Sequence, residues 1–325
     1  MIVLRFAYLL NNNAWLVKIV KYLLYLSPII IFVIVVSVRQ LNEGSLGTYS
    51  NPVRIYFTPS VDANRISFNA KSLTDFLHKE TGYYYTTAVP ASFVAVVEAF
   101  GTGKVDVAAI NTFSYLMAHA KYGAEAKLRV VREGNETTYK GQFIARANSG
   151  INTIEDINGR SMAYVDPSST SGYILPKALL DSKGIKPSET VFAMRHDNVV
   201  MMVYQGQADA GATYYAPPNL KTGAIMDARM RVAQQFPDVA DKVKIIGFTQ
   251  DIPNDPWVFR KDMNVVMKEK IINALLAYVN TPDGQKALFD IYDIVGLVPT
   301  TDSDYDGLRD VLDKQNIKFE NLVKH

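Results

Sequence analysis

The chain contains no cysteine in 325 residues, which excludes disulfides, thiol catalysis, Cys-ligated zinc and a lipid-modified N-terminal cysteine. Histidine is scarce as well. His78, His119, His196 and His325 form no i,i+4 pair, so no metal site is expected from them. A charge surplus is also missing: Lys and Arg number 34 against 32 Asp and Glu, a net charge of +2. Without a basic stripe interleaved with aromatics, no nucleic-acid partner is expected. There is no Gly-x-Ser-x-Gly elbow for a serine nucleophile. Gly101-Thr102-Gly103-Lys104 lacks the spacing of a phosphate-binding P-loop and follows a helix, which makes it a turn. Nothing in the chain calls for a cofactor.

What is present is a globular composition, 48% apolar and 20% charged, on a chain long enough for two lobes with separate cores. Arg5, Lys18 and Lys21 precede an uncharged stretch from Tyr22 to Val38, the pattern of an exported protein. The stretch nearly spans a bilayer core of roughly 30 Å, and no Ala-x-Ala cleavage site follows it. Residues 1–40 are therefore expected to be an uncleaved signal anchor, with a cleaved signal peptide as the alternative. Residues 41–52, with Gly44, Ser45, Gly47, Ser50 and Pro52, read as a flexible tether.

From Val53 onward short apolar strands alternate with amphipathic helices, the grammar of an α/β sheet. The reading gives strands at 53–58, 83–89 and 105–110 with helices at 68–79 and 92–100, then strands at 161–165, 190–193 and 208–212 with helices at 171–182 and 197–205. The second half repeats the first. Gly103-Lys104-Val105-Asp106 corresponds to Gly206-Gln207-Ala208-Asp209, each after a helix and before a strand, and each Asp reads as a turn residue. Two linking strands, 140–146 and 244–248, form a hinge between discontinuous lobes, and helices at 265–279, 282–291 and 305–314 return to the first. The expected division is lobe 1 at 53–142 and 250–325, and lobe 2 at 143–249.

Residues 165–172 read Val-Asp-Pro-Ser-Ser-Thr-Ser-Gly, four hydroxyls in a row between a strand and a helix start. Free N–H groups and hydroxyls at such a place suit an oxyanion. Ser168 or Ser169 acting as an ordinary helix cap is the competing account.

These motifs, together with His196, Ile252-Pro253-Asn254-Asp255-Pro256 and Gly296-Leu297-Val298-Pro299 before Asp304-Tyr305, give the region from about Val53 to Leu312 a family likeness. It resembles the substrate-binding proteins of phosphate, phosphite and phosphonate ABC transporters. The resemblance implies a two-lobed type II periplasmic-binding-protein fold with two hinge strands, extracytoplasmic, monomeric, and working with ABC permease subunits. It implies that Ser169, Thr170 and Ser171 hold the anion oxygens, that His196 donates to another and that Asp255 faces an amine or an acidic proton. Asn111 and Tyr115, at the end of the strand leading to Ile110, are expected at the cleft, with Tyr56 and Tyr214 in its wall. Relatives that bind aminoalkylphosphonates carry Tyr where this chain has Phe93 and Ile110, which argues for a smaller, more apolar-walled site.

Two other functions compete with transport. A sensory component would present ligand state to a separate membrane protein. A phosphoester or phosphonate hydrolase would use Ser169 or Ser171 with His196, yet no acidic third partner is identified. Asp302-Ser303-Asp304-Tyr305-Asp306-Gly307 imitates the start of a calcium loop but has Arg309 at position 8 and Asp313 at position 12, so an acidic helix start explains it better.

Overall fold

The computed structural model describes residues 45–219 and 222–314, together with Trp15, Lys18, Tyr22 and residues 25–28. Two units are distinguished, Met1–Pro52 and Val53–His325. In the first, Gly47 donates its N–H to the carbonyl of Asn51 at 2.7 Å, closing a turn. Among the described residues no helix is long and apolar enough to cross a membrane. Most of the expected anchor, Tyr22 to Val38, lies outside the described residues.

The second unit contains two mixed sheets. The first is built from β1 (Val53–Phe57), β2 (Tyr85–Ala88), β3 (Val107–Ala109), β4 (Glu125–Val131), β10 (Pro256–Phe259) and β11 (Gly296–Pro299), in the order β11-β4-β10-β3-β1-β2. The second is built from β5 (Thr138–Arg146), β6 (Ser161–Tyr164), β7 (Glu189–Phe192), β8 (Ala210–Tyr215) and β9 (Val243–Pro253), in the order β7-β6-β8-β5-β9. In each sheet three parallel strands adjoin an antiparallel strand from the other half of the chain: β2-β1-β3 meets β10, and β7-β6-β8 meets β5. The repeat seen in sequence is therefore a repeat of topology. The paired aspartates have matching work: Asp106 accepts from the backbone N–H of Arg54 at 2.8 Å, and Asp209 from that of Ser161 at 3.0 Å. Each pins the start of a neighbouring strand, as a turn residue should.

Local rules account for the helices. In Ala63–Thr81, Asp62 accepts from the N–H groups of Asn64 and Arg65, and Gly82 closes the other end at φ 76. Its buried Ile66, Ala70, Leu73 and Leu77 recur at four- and three-residue spacing, one stripe against the sheet. Burying such a side chain contributes about 1.5–3 kcal/mol. The helix starts five residues before the expected position 68, because the Asp62 cap sets its first turn.

The chain crosses between sheets at residues 132–137 and 254–255. The expected boundaries at 142 and 249 fall inside β5 and β9, whose ladder runs from Thr138 opposite Pro253 to Arg146 opposite Val243. Asn254 ties the two crossings together. Its amide donates to the carbonyls of Val130 at 3.0 Å and Glu136 at 2.9 Å, while its own N–H bonds to Thr137. The helices Val265–Tyr278, Pro282–Tyr292 and Asp306–Lys314 follow the return crossing.

Candidate functional site

Between the sheets lies a cleft of about 660 Å3, part of it open to solvent. Lobe 2 contributes the hydroxyl turn. After β6, Asp166 accepts from the N–H and hydroxyl of Ser168 at 2.8 and 2.7 Å, and Ser169 accepts from the N–H of Gly172 at 3.1 Å. Ser169 is thus a cap, and the turn it opens, Thr170–Ile174, is π-helical before Leu175–Ser182 continues as an α-helix. The N–H groups of Thr170 and Ser171 begin that turn, the position where a helix lacks internal acceptors. Gly172 has no substitute here, since a Cβ would lie 2.4 Å from Val165 Cγ2. The cap and anion accounts of this segment are compatible. One serine organises the turn and the next two residues present it.

Thr170 has a second task. Its hydroxyl donates to Asn111 Oδ1 at 2.9 Å and accepts from the N–H of Phe113 at 2.9 Å, both in lobe 1. The hydroxyl proton is thus committed across the cleft. Thr170→Val should weaken ligand binding by about 1–2 kcal/mol, roughly tenfold, by removing two buried hydrogen bonds that join the two lobes. Calorimetry giving unchanged affinity would count against this bridge.

His196 opens the helix His196–Gln205, and its N–H donates to the carbonyl of Ser60 in lobe 1 at 3.3 Å. Its Nδ1 is 2.7 Å from the Thr213 hydroxyl and its ring stands edge-on to Tyr214. Burial, followed by the charges of Arg231 and Arg132, holds its pKa down at about 3. The imidazole is therefore neutral at physiological pH and contributes hydrogen bonding, not the charge a doubly protonated ring would bring.

Two guanidiniums supply the charge. Arg132, just past β4, donates to the Tyr292 carbonyl at 2.5 Å and lies 3.5 Å from Asp255. Arg231 lies in a short 3-10 turn of lobe 2, and its Nη2 is 2.6 Å from Asp293 of lobe 1, both side chains 4% exposed. Burial raises the pKa of Asp255, opposed by Arg132. At the rim, Arg195 reaches Asp62 across the cleft at 3.2 Å.

The structure brings Ser169, Thr170, Ser171, His196, Asn111, Asp255 and Tyr214 to one cleft, with Phe93 and Ile110 in its wall. It does not bring Tyr115 or Tyr56 there. The chain past Ile110 turns into the helix Thr112–Tyr122 instead of prolonging the strand. Asn111 caps that helix at the cleft, while Tyr115, one turn further, is fully buried, donates to Asp302 and packs on Tyr305. Tyr56 sits on β1 and packs against the apolar core. The wall is more polar than expected, because Arg132, Tyr139, Arg231, Trp257, Tyr292 and Asp293 also line it. The false calcium loop is a helix start: Asp304 accepts from the Thr301 N–H in a capping box, and Asp302 is engaged by Arg309.

Residues 55–305 match the family model of the phosphonate ABC transporter periplasmic substrate-binding protein. The chain belongs to that family. It is a substrate-binding protein of an ABC transporter, extracytoplasmic by family, working with permease subunits and not an enzyme. It is 27% identical over 289 residues to the phosphate-import protein PhnD of Mycolicibacterium smegmatis, covering 78% of this chain and 83% of that one. Its fold resembles a binding protein component of an ABC phosphonate transporter from Pseudomonas aeruginosa, with a TM-score of 0.72 and 18% identity over 82% of this chain and 87% of that one. It also resembles PhnD1 from Prochlorococcus marinus, solved with methylphosphonate, with a TM-score of 0.68 and 15% identity over 81% of this chain and 98% of that one.

Proposed function

We propose that this binding protein closes its two lobes on a small phosphorus oxyanion, phosphate, phosphite or a phosphonate, and delivers it to the permease. The observation that carries the reading is convergence. The Thr170–Ser171 turn, neutral His196 and two buried guanidiniums face one cleft, a donor set suited to an oxyanion. In this reading Ser169 holds the turn, the N–H groups of Thr170 and Ser171 and the Ser171 hydroxyl bind oxygens, and His196 donates to another. Asp255 faces a proton of the ligand, and Asn111 and Tyr214 complete the enclosure. The names of the relatives, one importing phosphate and one solved with methylphosphonate, support the same ligand class.

The division into lobes at 53–142 with 250–325 and at 143–249 belongs to this proposal, with sheet membership favouring crossings just outside β5 and β9. So do the monomeric state and an anchor at residues 22–38 followed by the tether at 41–52, which would hold the lobes beside the permease.

A thermal-shift panel of phosphate, phosphite, methylphosphonate, 2-aminoethylphosphonate, sulfate and arsenate tests the ligand class. A ligand present at 100 times its Kd stabilises the folded form by about 2.7 kcal/mol, enough for a clear rise in Tm. If no phosphorus anion raises the Tm, the proposal fails.

A further inference from the structure

Asp293 ends the helix Pro282–Tyr292 in the left-handed conformation, at φ 58, with its N–H bonded to the Phe289 carbonyl at 2.9 Å. Its side chain leaves the backbone at a fixed place, and its two carboxylate oxygens have different surroundings. Oδ2 accepts from Arg231 at 2.6 Å and from the Tyr214 hydroxyl at 3.3 Å. Oδ1 is buried and has no partner among the described residues. A buried carboxylate oxygen without a donor is costly, and this one belongs to a residue that lines the cleft.

The lobe 1 wall carries two more buried atoms without partners among the described residues, the indole Nε1–H of Trp257 and the Nε–H of Arg132. Two open donors and one open acceptor do not complement an anion that brings acceptors alone. They complement one that brings acceptors and a donor. We propose that Asp293 is a specificity-determining residue which requires the ligand to present an O–H or N–H group to its Oδ1. The protein would then take a protonated phosphorus oxyanion, or one carrying an ammonium group, and refuse sulfate. The inference rests on the phosphorus-oxyanion reading and deepens it.

Sulfate is close in size to phosphate but carries no proton at neutral pH. One of its oxygens would meet Asp293 lone pair to lone pair in a buried site, a repulsion that sites use to exclude wrong ligands. Asn at this position keeps the shape and tolerates the left-handed backbone. Its amide oxygen can go on accepting from Arg231 while its NH2 group turns toward the cleft, so the acceptor becomes a donor.

The test is calorimetry of the full chain and of Asp293→Asn near neutral pH, with phosphate, methylphosphonate, 2-aminoethylphosphonate and sulfate. The wild type is expected to prefer its best phosphorus ligand over sulfate by at least about 100-fold. In Asp293→Asn that ratio should fall below about tenfold, partly through a gain in sulfate binding. A ratio cancels any common loss from a weaker bond to Arg231. A loss shared by phosphate and methylphosphonate identifies the P–OH group as the donor, and a loss confined to 2-aminoethylphosphonate identifies the ammonium group. An unchanged ratio in the variant overturns the proposal. Should the variant not fold, the wild type decides alone: sulfate or selenate bound within about tenfold of the best phosphorus ligand also overturns it. A wild type that binds none of the phosphorus anions overturns the ligand class itself, a different outcome from binding them without a role for Asp293.

Discussion

Arg231→Met should weaken ligand binding by about a hundredfold to a thousandfold, because removing one member of a buried ion pair costs about 3–5 kcal/mol and each 1.4 kcal/mol is tenfold. Methionine fills much of the space of the arginine stem, so the packing loss is small. What remains is Asp293, 4% exposed and without its cation. The pair joins lobe 2 to lobe 1, and opening the cleft lets water reach the carboxylate. The penalty therefore falls on the closed form, and the apparent affinity drops with the closed population. Small-angle scattering with ligand present should show a larger radius of gyration in the variant than in the wild type. An affinity within about threefold of wild type would mean that the pair is no better than its solvated parts.

In the proposed function, closure and recognition use the same residues of this cleft. Thr170 presents an N–H to the ligand side and commits its hydroxyl to Asn111 and Phe113. His196 shares a hydrogen bond between its Nδ1 and the Thr213 hydroxyl and sends its backbone N–H to Ser60. Arg231 is at once a charge in the cleft and a bridge to Asp293. A ligand that satisfies the remaining donors therefore adds to bonds that already favour the closed form, which is how binding shifts a two-state equilibrium.

Much of this was legible in the sequence, for identifiable reasons. The parallel strands and their helices follow from apolar periodicity, and the duplicated Gly-x-x-Asp element marked a repeat that the sheets confirm. The Ser169–Ser171 turn and His196 were legible because hydroxyl runs and helix starts have a local signature. The structure puts Asn111 at the cleft and Tyr115 in the core. A strand end and a helix cap both put Asn111 at the cleft, but only the helix sends the residue four positions later into the core. β4, β10 and β11 gave no clear signal. Two of them have four residues each, and β4 alternates Glu125, Lys127 and Arg129 with apolar residues, which dilutes its apolar signal. With β4 and β10 unseen, Arg132 and Trp257 could not be placed in the wall. Arg231 and Asp293 meet through tertiary structure across 62 residues, and no local pattern announces such a pair.

His196 should make the folded chain less stable as the medium becomes acidic, and His196→Asn should remove much of that dependence. Burial together with Arg231 and Arg132 holds the folded-state pKa at about 3, below the ordinary value of 6.5 that the unfolded chain regains. The unfolded state thus binds the proton more readily. The contribution of the neutral ring is fully present above about pH 6.5 and is lost as the pH falls toward 3, with a slope of up to about 1.4 kcal/mol per pH unit. Over that window the loss is on the order of 5 kcal/mol at most. Asp255 works in the opposite direction: its raised pKa makes the folded state the readier proton acceptor, so its contribution is present at low pH and is lost as the pH rises through the raised value. The wild-type curve mixes the two, and the difference between wild type and variant isolates the histidine. Urea denaturation without ligand, repeated between pH 7 and pH 4, should show the wild-type stability falling toward that of His196→Asn by about 2–3 kcal/mol. Parallel curves would mean that the ring titrates alike in both states, and that the cleft does not keep it neutral.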